Sequence, residues 1–154
     1  MEVFLMKRST FLKLFLVSVV LLLSIFITNN KVFSENWVFF ATRTSNNVDF
    51  YYDKDDIMNL SPEIKRVWTK YSEPLKEMLE HRIKIGASIS DFSSYAYTLD
   101  FLEIDCKKKQ YEIINYTHYS KDGETLDSSE KENLKPESIR PGSIMEGLHK
   151  AICP

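Results

Sequence analysis

Hydrophobic and polar positions alternate along most of the chain with the period of strands, and they switch to helical spacing in two places. Trp37 to Thr42 is aromatic and β-branched and runs into the turn-forming Ser45-Asn46-Asn47; Val48-Asp49-Phe50-Tyr51-Tyr52-Asp53 then repeats its character. This predicts a hairpin. From Ile64 to Tyr71, Val67, Thr69 and Tyr71 alternate with Arg66, Trp68 and Lys70, which predicts a half-buried third strand. After Pro74, Leu75, Met78, Leu79 and Ile83 recur at helical spacing until Gly86. A short helix is expected there, with Lys76, Glu77, Glu80, His81, Arg82 and Lys84 on its polar face.

The segment Ser94 to Cys106 is largely apolar on both parities. One carries Ala96, Thr98, Leu102, Ile104 and Cys106, and the other carries Tyr95, Tyr97, Leu99 and Phe101 before turning acidic at Glu103 and Asp105. A central strand covered on both sides is implied. Lys107-Lys108-Lys109 reads as a solvated hairpin tip leading into a fifth strand, Tyr111 to Tyr119, paired antiparallel with its predecessor. Asp122 to Arg140 is polar and reads as an exposed excursion with at most a brief edge strand near Glu124 to Leu126. Pro141-Gly142-Ser143 then prepares a terminal helix: Ser143 is the N-cap, Glu146 completes a capping box, and Ile144, Leu148 and Ile152 form a stripe. The expected class is α+β, an antiparallel β-sheet of about five or six strands with a C-terminal α-helix.

Composition fixes the compartment more sharply than the ligand. Met6-Lys7-Arg8 starts a positive region, and Leu14 to Ile27 is interrupted only by Ser18 and Ser24. That run is shorter than the ~20 apolar residues a spanning helix needs and suits a signal-peptide core. Val32-Phe33-Ser34 offers small residues at the first and third positions, so residues 1–34 are expected to be a signal peptide and 35–154 a single domain. The alternative is an uncleaved anchor helix from Phe11 to Thr28, the one route by which the chain would contact a membrane. Of 20 basic and 22 acidic residues, 16 and 21 fall after Ser34, a net charge of −5. So acidic a domain gives no reason to expect nucleic-acid binding, which rests on clustered Lys and Arg.

The chain has two cysteines, Cys106 and Cys153, both in the exported part. An even count in an oxidising compartment favours a disulfide over two unpaired buried thiols. Without C-x-x-C spacing they do not make a zinc site. Such a bond would staple the terminal helix to the end of the central strand, on the face of Leu102 and Ile104. The opposite parity, Tyr95, Tyr97, Leu99 and Phe101, would then need its own cover. The Leu75 to Ile83 helix is the expected one and a second copy, as a homodimer, the other; left open, the four residues form a candidate binding surface.

Leu102-Glu103-Ile104-Asp105-Cys106-Lys107, Tyr111-Glu112-Ile113, Tyr119, Asp122-Gly123, Ile139-Arg140-Pro141-Gly142-Ser143 and the final Ile152-Cys153 together resemble the bacterial surface-adhesin protein E family. Phe50-Tyr51-Tyr52-Asp53 and Val67-Trp68 stand where members carry a tyrosine-aspartate pair and a valine-tryptophan strand. Two departures stand out: Lys135-Pro136-Glu137-Ser138 replaces a stretch that often holds a tryptophan, and Leu75 to Ser93 is longer than usual. The resemblance implies an antiparallel sheet with a C-terminal helix held by the two cysteines. It also implies an outer-surface adhesin that binds host matrix and serum proteins, with a link to haem.

Catalytic signatures do not appear. There is no G-x-S-x-G elbow, H-E-x-x-H helix or phosphate-cradling glycine loop, and Asp53, Asp55 and Asp56 lack the central Gly and distal Glu of a calcium loop. The reading is therefore an exported, non-catalytic binding or adhesion module without a cofactor, periplasmic or on the outer surface of a bacterium, recognising a protein or cell-surface partner. The alternative is a periplasmic carrier of haem or another small apolar ligand, with His118 and Tyr116 or Tyr119 as axial ligands. N-terminal sequencing of exported protein is expected to start at Glu35; a terminus still carrying Met1 or Met6 would establish the anchor.

Overall fold

Pairing partners, rather than the strands themselves, organise this chain. The computed structural model describes residues 35–130 and 135–154, so the expected signal peptide lies outside the described residues. Along the chain run β1 (Trp37–Arg43), β2 (Val48–Asp53), β3 (Met58–Asn59), β4 (Ile64–Tyr71), α1 (Leu75–Lys84), a 3-10 turn (Phe92–Ser94), β5 (Tyr95–Asp105), β6 (Gln110–Ser120), β7 (Thr125–Glu130), β8 (Glu137–Ser138) and α2 (Ile144–Ile152). They form one antiparallel sheet in the order β1-β2-β4-β5-β6-β7, with the two-residue β3 added to β4 and β8 added to β6.

The expected class holds, but the sheet has eight strands rather than five or six. The difference comes from short pairings that leave little mark in the sequence. The Asp122 to Arg140 stretch folds back as β7 and β8, both hydrogen-bonded to β6. β6 still had unpaired N–H and C=O groups along its far side, and pairing them outweighs the polar character of the returning segment.

Both helices lie on one face of the sheet. Val67, Leu102, Ile104 and Leu148 have no exposed surface and form the centre of the core, with Tyr52 and Ile152 beside them. The Ser143 cap forms as expected: its Oγ accepts from the Glu146 N–H at 3.2 Å. The Glu146 carboxylate returns to the N–H of Gly142 at 2.8 Å, one residue earlier than in the usual box. Gly142 sits at φ +76°, a left-handed turn that its missing Cβ permits. Gly147 lets α2 approach β1, because a Cβ there would stand 2.9 Å from the Phe40 carbonyl oxygen.

Cys106 and Cys153 are disulfide-bonded with Cα atoms 5.6 Å apart. Cys106 packs with Leu102, Ile104, Leu148 and Ile152, so the clamp closes over the core. His149 adds a hydrogen bond of 2.9 Å between its Nε2 and the Cys106 carbonyl.

α1 departs from its predicted orientation. Of its apolar stripe only Met78 is buried, while Leu75 and Ile83 are exposed and Arg82 is 5% exposed. The guanidinium of Arg82 accounts for the rotation. It donates to Asp127 and to the Ser88 carbonyl, each at 2.7 Å, and lies 3.8 Å over the Phe92 ring. A charge so fully partnered can be buried, and the helix turns to place it there.

The disulfide joins residues 47 apart in sequence, a closure that stabilises by about 4 kcal/mol in the chain-entropy account. Reduction is expected to lower the unfolding free energy from urea titration by that amount, and the Cys106→Ser, Cys153→Ser double variant should unfold like the reduced protein.

Candidate functional site

Two surfaces are candidate sites, one on each face of the sheet. On the face away from the helices, aromatic side chains meet as cross-strand partners. Phe39 and Tyr51 are edge to face at 6.1 Å, Trp68 stacks on Phe101 at 4.6 Å, and Tyr97 stacks on Tyr119 at 5.0 Å. Lys70 reaches two rings, with Nζ 4.3 Å from the Tyr97 ring and 5.2 Å from the Trp37 ring. Burial among these neighbours, aided by Tyr119 and Glu35, raises the Tyr97 phenol above its ordinary pKa. Phe39 is 54% exposed and the other rings are partly so. No helix lies over this face among the described residues.

Three of the four residues expected to form a surface, Tyr97, Leu99 and Phe101, lie here together, partly exposed. Tyr95 does not. A β-bulge between Tyr95 and Tyr97 inserts an extra residue against β6, which reverses the parity and sends Tyr95 to the helix side. There it is 5% exposed, packed with Met78 and Phe92. The expected cover is also displaced, since α1 packs on Tyr95 and leaves the other three uncovered.

On the helix side, a cleft of about 640 Å³ opens between α1 and the sheet, lined among others by Tyr71, Glu73, Glu77, Asp100, Tyr116 and His118. A second cleft of about 450 Å³ shares Tyr71, Asp100 and Ile113 and continues towards Ile144 and Met145 of α2. Tyr71 stacks on Phe50 at 4.9 Å, and its phenol is raised well above its ordinary pKa by burial and then by the carboxylates of Asp100 and Glu73. Glu73 is held at 2.6 Å by Arg43.

His118 is the buried polar centre of this cleft. The Glu73 N–H donates to the Tyr95 hydroxyl at 3.4 Å, that hydroxyl meets Thr98 Oγ1 at 2.9 Å, and Thr98 Oγ1 meets His118 Nδ1 at 2.8 Å. Thr98 Oγ1 donates to the histidine or accepts from it according to which ring nitrogen carries the proton. Burial, with the Arg82 charge next, lowers the His118 pKa to about 4, against opposing contributions from Asp127 and Glu73. Sequence reasoning placed His118 on a strand but had no signal for its partners, because Thr98 and Tyr95 reach it only through the β5–β6 register and the bulge.

Tyr116 shares this cleft, its ring 5.0 Å from that of His118, whereas Tyr119 points to the opposite face with Tyr97. Among the described residues no group of three or more His, Cys, Asp or Glu side chains converges as a metal site. The three lysines of the hairpin tip are partly engaged: Lys107 pairs with Glu63 at 2.9 Å and Lys108 with Asp105 at 3.1 Å.

A family profile described as surface-adhesin protein E matches residues 37–154. Among solved structures, Haemophilus influenzae protein E is similar in fold, with 14% identity, a TM-score of 0.52, and 80% of this chain and 86% of that chain covered. Its selenomethionine form gives 13% identity, a TM-score of 0.51, and coverage of 80% and 88%. No curated protein matches the chain.

The displaced histidine pKa gives stability a pH dependence. An unfolded histidine takes its proton near 6.5 and the folded one only near 4, so below 6.5 the unfolded state binds a proton that the folded state refuses. Stability is expected to fall as pH drops from about 6.5 to about 4. The His118→Phe variant, which costs about 1–3 kcal/mol at neutral pH by stranding the Thr98 hydroxyl, should lack that slope in denaturant titrations.

Proposed function

The chain belongs to the surface-adhesin protein E family, and from that membership we propose that it is an exported, non-catalytic binding module that recognises a protein or cell-surface partner through the uncovered aromatic face of its sheet. An adhesin-type surface protein is what the family establishes; the face and the partner class are our reading. One observation carries it. Trp68, Tyr97, Phe101 and their neighbours form a continuous ring surface with no helix above it, and rigid aromatic area of this kind supplies the anchors of protein interfaces. The rings hold one another by stacking, so a partner would meet a preorganised surface and little ordering would oppose binding. Lys70 adds a cation at the centre, favouring a partner with an acidic or carbonyl-rich contact.

A second reading, periplasmic carriage of haem or another small apolar ligand, draws on the cleft in which His118 and Tyr116 share a wall. Iron ligation through Nε2 requires the ring proton on Nδ1, where Thr98 Oγ1 would accept it. Tyr119, the other tyrosine considered, faces away.

Antibody labelling or protease shaving of intact cells is expected to reach the protein, and Phe39→Ser and Leu99→Ser should weaken attachment to its partner by about tenfold each with little change in thermal midpoint. Confinement to the periplasmic fraction, or full attachment by both variants, would count against the adhesin reading. Haem titration of the purified domain is expected to give no Soret shift; a shift abolished by His118→Phe would favour the carrier instead.

A further inference from the structure

α1 is attached to the sheet at few points, and the main one is a buried charge. Its buried residues are Met78 and Arg82, while Leu75, Ile83 and the following Ile85 stay exposed. Met78 packs with Phe92 and Tyr95. Among the described residues, the side-chain hydrogen bonds that tie α1 to its surroundings are Glu77 to Asn46 of the β1–β2 turn, and Arg82 to Asp127 of β7 and to the Ser88 carbonyl. Pro74 precedes the helix and Gly86 follows it, the latter at φ +72° with open space where a Cβ would stand. Such positions serve as pivots. The cluster of Met78, Phe92 and Tyr95 is also separate from the one that α2 and the disulfide close over, so α1 can leave without opening the main core.

The Arg82 attachment includes a titratable group. His118 and Asp127 are direct partners across β6 and β7. The Phe92 ring lies 3.8 Å under the Arg82 guanidinium and meets the His118 ring edge to face at 5.5 Å. With the imidazole neutral, this buried group holds one cation and one anion. Protonation of His118 adds a second cation, and the site that α1 closes then keeps a net positive charge away from water. His81 of α1 adds to that repulsion; Glu73, held by Arg43, opposes it. Glu77 of α1, Asp100 of β5 and the rings of Tyr95 and Tyr116 complete the titratable surroundings. In the closed fold His118 resists protonation down to about pH 4, whereas a ring open to water takes its proton near 6.5. A state with α1 lifted, in which water reaches Arg82, Asp127 and His118, is favoured by acid.

We propose that α1 is a lid released by acid: when His118 takes a proton, α1 turns away from the sheet on Pro74 and Gly86 and uncovers Phe92, Tyr95 and Tyr116, while the half of the domain held by the disulfide stays folded. The device is independent of the open aromatic face, which lies on the other side of the sheet.

Native-state hydrogen exchange of the intact, disulfide-bonded chain tests this, with each amide corrected for its intrinsic rate and followed against pH and low urea. The amides of Met78 to Lys84 are expected to exchange through a local opening with little urea dependence. The equilibrium constant of that opening should rise about 30-fold between pH 7.5 and pH 5, the change that follows from the two proton affinities of His118. Amides of β5 and α2 should stay better protected, with the strong urea dependence of global unfolding. Protection and urea dependence shared by α1, β5 and α2 would mean that α1 opens only with the whole domain, and would overturn the proposal. A local opening indifferent to pH would overturn it as well. His118→Phe is expected to abolish the pH dependence of α1 exchange. Asp127→Asn, which takes the counter-ion from Arg82, should raise the opening at neutral pH by at least about tenfold; unchanged α1 protection in that variant would remove the ion pair as the latch. The pH series on the unaltered chain decides the matter even where a variant fails to fold.

Discussion

One-sided cover of the sheet is the constraint from which the other features follow. α2 is tied to the end of β5 by the Cys106–Cys153 bond and α1 is held to β7 by the Arg82–Asp127 pair, and both elements press on the same face. The disulfide acts largely on the unfolded chain, by removing the freedom of a long loop. The ion pair acts on the folded one, by making a buried guanidinium tolerable. With both helices on one side, the other face must find its own way to shield apolar area, and it does so by stacking rings across strands.

The two faces therefore differ in kind. The uncovered face is a flat array of aromatic pairs around one lysine, suited to contact with another surface. The covered face is deep and polar at its centre, where two helices leave a gap over Tyr71, Asp100 and Ile113. A hydrogen-bonded row from the Glu73 amide through Tyr95 and Thr98 to His118 orders the buried ring.

Much of this was legible before any coordinates. The Val67, Thr69, Tyr71 parity of β4 proved to be its buried side, and the Ser143 cap and the Ile152-Cys153 ending fell where the spacing put them. Each depends on contacts within a few residues or on strict two-residue alternation over an unbroken strand. Tyr95 was misplaced because alternation was carried through a bulge. Arg82 was misassigned because helical spacing treats a charged residue as exposed, whereas Asp127, 45 residues away, makes its burial favourable. β7 was expected only as a brief edge strand near Glu124 to Leu126 and β8 was missed, because their composition is that of a loop, and only the unpaired edge of β6 explains why they are strands.

The sequence by itself determined where the main elements begin and end, which cysteines could pair and that the part after Ser34 is acidic, since these follow from local periodicity, capping chemistry and charge. The tertiary structure decided which face each residue of β5 presents, which charge is buried and which partners hold the buried histidine. Those outcomes rest on register and on partners far apart in the chain, and a single bulge is enough to reverse them.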